Sequence, residues 1–206
     1  MTINWMHVAP AGLCCSPANA WIDPVRPQQL ALITHGHADH ARAGHGHVIA
    51  TPQTLDIMAS RYGQNFAAQV TALEYGQSMR LGEVELSLAP AGHVLGSAQI
   101  ILDFQRKRLI AAGDYKRKSD PTCEPFEIVP CDVFITEATF GLPVFRHPEP
   151  ENEINKLLTS HRLFPERSVV VGAYALGKAQ RLIALLRRAG YNEPVYLHVA
   201  MRNLCD

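Results

Sequence analysis

The chain has 206 residues, 47% of them hydrophobic, with 19 basic against 19 acidic side chains and a formal net charge of zero. That is enough apolar material for one full domain and part of a second, and the charge balance excludes any global electrostatic case for a nucleic-acid binder. There is no apolar run of about 20 residues and no basic start leading into an apolar stretch, so neither a membrane span nor a signal peptide is expected, and a cytoplasmic setting is the default.

The five cysteines, Cys14, Cys15, Cys123, Cys131 and Cys205, are an odd set without a CxxC pair. They read as reduced thiols, not as a disulfide framework or a zinc ribbon. The ten histidines carry the signal.

In chain order, the first buried-looking strand is Leu30–Thr34, and it runs straight into His35-Gly36-His37-Ala38-Asp39-His40. A second strand spans His47–Ala50. A helix covers Thr51–Tyr62, where Pro52 suits a first turn. Strands follow at Val84–Ala89, Gln99–Phe104, Arg108–Ala112 and Asp132–Thr136, each bounded by turn-forming residues. Between them, His93 lies in a glycine-bounded loop, while Asp114 and Glu137 stand just past strand ends. The segment Phe140–Pro150, with three prolines, marks a domain boundary near 145. Beyond it come a helix over Glu149–Ser160, a strand over Ser168–Val171, a helix over Lys178–Ala189 and a strand-like Pro194–Leu197.

Four potential ligands in six residues after an apolar strand form a metal-type cluster. His35 and His37, two apart in an extended loop, can face one side, and Asp39 and His40 can turn toward a neighbouring position at the start of a helix. Imidazole and carboxylate donors suit Zn²⁺ or Mn²⁺ in an open catalytic site better than in a closed structural one. His93 and Asp114 complete the ordered series. Later in the chain, Gly172–Ala179 imitates a phosphate-binding loop but places Ala179 where a nucleotide-bound cation needs a hydroxyl. Amides at that helix start beside Lys178, with Arg181 a turn further on, can instead meet a nucleic-acid phosphate.

HGHADH, AGHVLGSAQ, AAGDYKR and ITEATFGLP, in this order, resemble the successive motifs of metallo-β-lactamase-fold β-CASP nucleases. More narrowly, WIDPVRPQQLALITHGHADHARAGHGH, GDYKRKSDPTC and AYALGKAQRL are similar to bacterial exonuclease-like proteins associated with DNA ligase and a helicase. The resemblance implies an α/β chain: an incomplete metallo-β-lactamase αββα sandwich over residues 1–145, then the beginning of a β-CASP insert over 146–206. It also implies two divalent metal ions, Zn or Mn. His35, His37 and His93 would hold one, Asp39 and His40 the other, and Asp114 would bridge them. Asp39, Asp114 and Glu137 would be the catalytic acidic residues, with Glu137 orienting a proton donor.

The implied activity is phosphodiester hydrolysis, with DNA favoured over RNA and exonuclease over endonuclease, and with DNA ligase and helicase partners. An RNA-processing enzyme, a thioester or lactone hydrolase of the same fold and an inactive binding module are the rivals. The later histidines that the pattern requires are not in the chain, so a truncated, weakly active product is expected. His198 follows a strand-like run, but by the resemblance it lies within the insert and is not assigned as a ligand.

Overall fold

The computed structural model describes residues 3–205. The chain is a mixed α/β protein in two compact units, Met1–Glu137 and Ala138–Asp206. The first unit holds all eleven strands among the described residues.

Strands β1 (Met6–Ala9), β2 (Gly12–Cys15), β3 (Ala20–Ile22), β4 (Leu30–Leu32), β5 (His45–Ala50) and β6 (Ala67–Ala72) form one sheet in sequence order. Its first two pairings are antiparallel, and those from β3 to β6 are parallel. Strands β7 (Ser78–Leu81), β8 (Val84–Pro90), β9 (Ala98–Phe104), β10 (Lys107–Ala111) and β11 (Val133–Ile135) form a second sheet, ordered β11-β10-β9-β8-β7. Only β11 is parallel to its neighbour there.

Side-chain alternation explains the layering. Leu32 and Ile49 point from the first sheet into a core shared with Leu86, Leu88, Ile100, Leu102 and Leu109 of the second. Their chain neighbours Ala31, Ile33, Val48 and Ala50 point the other way, onto Leu55 and Met58. Those two residues belong to α1 (Pro52–Tyr62), with Thr51 as N-cap and Pro52 in its first turn. Strands buried on both faces read as continuous apolar runs, which is why β4 and β5 are visible in the sequence.

The second unit contains α2 (Pro150–Leu163), α3 (Lys178–Arg188) and a short 3-10 helix, Val199–Leu204. Its buried apolar residues are few: Ile154, Leu176, Ala179 and Leu186. The expected strand Ser168–Val171 and the strand-like Pro194–Leu197 carry no regular secondary structure. A strand needs a ladder partner, and the described residues of this unit offer none; Val170 is 91% exposed. No helix among the described residues is long and apolar enough to cross a membrane.

Candidate metal centre

Three strand ends of the first unit supply the site. Beyond β4, Ile33 still follows the sheet through its N–H to the Ile49 carbonyl (3.0 Å), after which the chain leaves the ladder. His37 to Ala41 then form a single turn, closed by His40 N and Ala41 N on the His37 carbonyl (3.1 and 2.8 Å). The expected helix start at Asp39 and His40 is therefore only this turn, because the chain goes directly on to β5.

Between β8 and β9, Ser97 Oγ accepts the backbone N–H groups of His93 and Val94 (3.0 and 3.2 Å) and fixes the His93 loop. Beyond β10, Gly113 adopts φ +56° against Thr34, where a Cβ would lie 2.7 Å from the Thr34 side chain. Only glycine lets the chain turn so tightly there and deliver Asp114 beside His93.

Ligand atoms of His35, His37, His93 and Asp114 all lie within 4.8 Å of one another. His37 Nδ1 is 3.0 Å from His35 Nε2 and 3.2 Å from His93 Nε2. Asp114 faces two histidines with its two oxygens: Oδ2 is 3.6 Å from His93 Nε2, and Oδ1 is 3.5 Å from His40 Nε2.

The surrounding hydrogen bonds fix which nitrogens carry protons. Asp23 accepts Thr34 N–H on Oδ1 (2.8 Å) and the Thr34 hydroxyl on Oδ2 (2.5 Å). With its proton engaged there, Thr34 Oγ1 must accept from His35 Nδ1–H (3.0 Å). His35 Nε2 is then a bare lone pair directed at the cluster. Asp23 Oδ2 likewise takes His40 Nδ1–H (2.8 Å), which leaves His40 Nε2 toward Asp114 and toward Asp39 Oδ2 at 3.8 Å.

Electrostatics agree with neutral, ligand-ready imidazoles. Burial, followed by the neighbouring histidines, holds His35 well below the ordinary imidazole range. Burial and His37 pull His93 down to about 4, against the opposing pull of Asp114. His40 is the exception: burial would lower it, but Asp23, Asp114 and Asp39 together raise it. Three imidazole nitrogens converging at these distances cannot all be satisfied by hydrogen bonds to each other, since only one hydrogen fits between each pair. A divalent cation relieves that convergence, so the donor set fits Zn²⁺ or Mn²⁺.

Asp23 and Thr34 are the site residues that sequence reasoning missed. Asp23 also groups with His35 and His40 within ligand distance. Both of its oxygens are engaged by Thr34 and His40, the arrangement of a group that orients metal ligands. Its signal lay in WIDPVRP, where Asp-Pro reads simply as a turn.

Asp39 sits at the rim with its side chain 78% exposed. Glu137 lies two residues beyond β11, and β10 and β11 run parallel with Ala111 opposite Ile135, so Glu137 leaves the sheet at the same end as Asp114. In the second unit, Lys178 Nζ lies 4.3 Å from the centre of the Tyr174 ring, and Arg181 stands in the first turn of α3. His198 caps the 3-10 helix, accepting Ala200 N–H on Nδ1 (3.2 Å). His45 and His47 bond to Gln28 and Thr71, away from the cluster.

An α/β fold of two sheets that gathers three imidazoles and a carboxylate at strand ends has the donor set of a divalent-metal site. No family model matches the chain. A probable DNA ligase of Opitutus terrae is 31% identical over 191 residues, 91% of this chain and 18% of the relative. The endoribonuclease YSH1 of Gibberella zeae is 30% identical over 145 residues, 68% of this chain and 17% of the relative. Subunit 3 of the cleavage and polyadenylation specificity factor of Dictyostelium discoideum is 26% identical over 230 residues, 94% of this chain and 29% of the relative.

The chain belongs to the metallo-β-lactamase-fold β-CASP nuclease family. It spans less than a third of the length of each of these relatives. Among solved structures, a protein of unknown function from Enterococcus faecalis V583 shares the fold, with a TM-score of 0.55 at 14% identity over 85% of this chain and 48% of that one.

Proposed function

We propose that the first unit is the metallo-β-lactamase sandwich of a phosphodiester hydrolase acting on nucleic acid, with DNA favoured over RNA. The observation that carries the reading is Asp114 presenting one oxygen to His93 and the other to His40. In this reading His35, His37 and His93 hold one divalent cation, Asp39 and His40 hold a second, and Asp114 spans both. Two such cations would lower the pKa of water and stabilise the attacking and leaving oxygens of an in-line displacement.

The chain's own residues do the rest. Thr34 keeps His35 Nε2 aimed at the cluster as a bare lone pair, and Asp23 holds His40 by Nδ1 so that Nε2 faces Asp114. Asp39, exposed at the rim, orients the attacking water. Glu137, at the shared strand exit, orients the proton donor for the leaving oxygen. Lys178 and Arg181 meet phosphates of the strand in the second unit, which is read as β-CASP. The DNA preference rests on the GDYKRKSDPTC and AYALGKAQRL resemblance and on the relative named a probable DNA ligase, and association with a ligase and a helicase belongs to the same reading. The endoribonuclease relatives make RNA the arm to test against it.

The experiment offers labelled single- and double-stranded DNA, RNA and a panel of thioesters to the protein with Mn²⁺ or Zn²⁺. Cleavage of DNA ahead of RNA, with no thioester turnover, is the expected result. Turnover of thioester alone would overturn the reading.

A further inference from the structure

The loop after Asp114 carries three consecutive cations, Lys116, Arg117 and Lys118, and it is locked onto the His93 loop. Lys116 N–H donates to the Ala91 carbonyl (3.0 Å). Gly92, at φ +72°, lies so close beneath that a Cβ there would collide with the Lys116 carbonyl and the Phe126 amide. Tyr115 packs its ring on Phe126 and Phe134 at 5.2 and 5.9 Å between ring centres.

The loop's anchor is Asp120, whose side chain is only 3% exposed. It accepts Thr122 N–H (3.0 Å) and the Thr122 hydroxyl (2.6 Å), and it pairs with Lys116 Nζ. These partners hold its carboxyl below the usual carboxylate range despite burial.

A buried ion pair is weak evidence for stability, because desolvation of both charges offsets most of their attraction. What the pair achieves is position: it fixes the Lys116 ammonium on a loop that starts at Asp114 and is hydrogen-bonded to Ala91, two residues before His93. A cation placed next to a site that collects divalent cations is unfavourable in the resting protein. It becomes favourable once an anion lies between them. An ammonium has three N–H donors, and Asp120 leaves some of them for that anion. Arg117, the next residue, is exposed.

Building on the proposed nuclease activity, we propose that Lys116 is a substrate-positioning residue: held by Asp120, it takes a non-bridging oxygen of the phosphodiester at the His93–Asp114 end of the cluster, and Arg117 takes the next phosphate of the same strand.

The test is fluorescence anisotropy of a labelled single-stranded oligonucleotide on the whole, zinc-loaded chain, titrated across salt. Wild type is compared with K116Q, K116R, R117Q and D120N, with metal content and circular dichroism measured on each. K116Q should weaken binding about tenfold and lower the slope of log K against log salt by about 0.7, the value for one lost single-strand phosphate contact. R117Q, a solvent-facing change, should lower the slope by a similar amount. K116R should keep the wild-type slope, since it keeps the charge, and D120N should fall between. Zinc content should stay at the wild-type level throughout.

If wild type binds and both K116Q and R117Q keep its affinity and slope, this inference fails and the nuclease reading stands. Loss of zinc in K116Q would make Lys116 structural and also overturn it. If wild type binds no oligonucleotide, the nuclease reading fails and takes this inference with it.

Discussion

One carboxylate, Asp23, determines how two of the candidate ligands present themselves. Its oxygens fix the Thr34 hydroxyl and His40 Nδ1, and through Thr34 they fix the tautomer of His35. Asp23→Asn therefore replaces an acceptor-only group with an amide whose single oxygen cannot serve all three donors, the Thr34 N–H, the Thr34 hydroxyl and His40 Nδ1–H. Loss of an orienting partner costs 10- to 100-fold in metal affinity, and the larger loss is expected where His40 binds. Zinc titration against a chromophoric chelator measures it, and wild-type affinity at every site would rule the role out.

The protonation of His93 gives a second prediction at this scale. Folded, His93 titrates near 4 against 6.5 unfolded. Between those values the unfolded chain binds the extra proton, so metal-free stability falls as pH drops from 6.5 toward 4 and changes no further below. His93→Gln cannot titrate and should lose less stability over that window. Removing His93 also lifts its repulsion from His35 and His40, which acts in the same direction. Melting curves in chelator at pH 7 and pH 5 decide the matter, and parallel shifts for the two proteins would contradict the account. None of this network can be read along the chain: HxHxDH is a local pattern, whereas Asp23 meets it only across the sheet.

Among the elements, the hinge after β10 and the core of β9 separate site from scaffold. Gly113→Ala forces a side chain into positive φ and against Thr34. It should destabilise the protein by about 1–3 kcal/mol and weaken metal binding with it. Ile100→Ala, in the fully buried middle of the two-sheet core, should cost about 2–5 kcal/mol but leave zinc content of the folded protein unchanged. Urea unfolding paired with metal analysis distinguishes the two, and a zinc loss in Ile100→Ala equal to that in Gly113→Ala would refute the distinction.

The elements recovered from the sequence are β4, β5, β8, β9, β10, β11 and all three α-helices, most of them buried on both faces or strongly patterned. Sequence reading missed β1, β2, β3 and β7, which have only three or four residues each, and β6, whose residues are mostly exposed. It overcalled Ser168–Val171 for the opposite reason, since composition alone cannot tell whether a valine run has a partner strand.

For the molecule as a whole, the proposed phosphodiester chemistry depends on the first unit's gathering of His35, His37, His93 and Asp114 as a divalent-metal site. The ordering of motifs made that cluster legible, because each ligand follows a strand end and the two sheets bring those ends together. Elemental analysis of purified wild type beside the double variant His35→Ala plus His93→Ala tests the claim most directly, with circular dichroism establishing that both are folded. Wild type should carry zinc or manganese and the double variant should have lost it; equal metal content in the two proteins would show that these residues do not hold the metal.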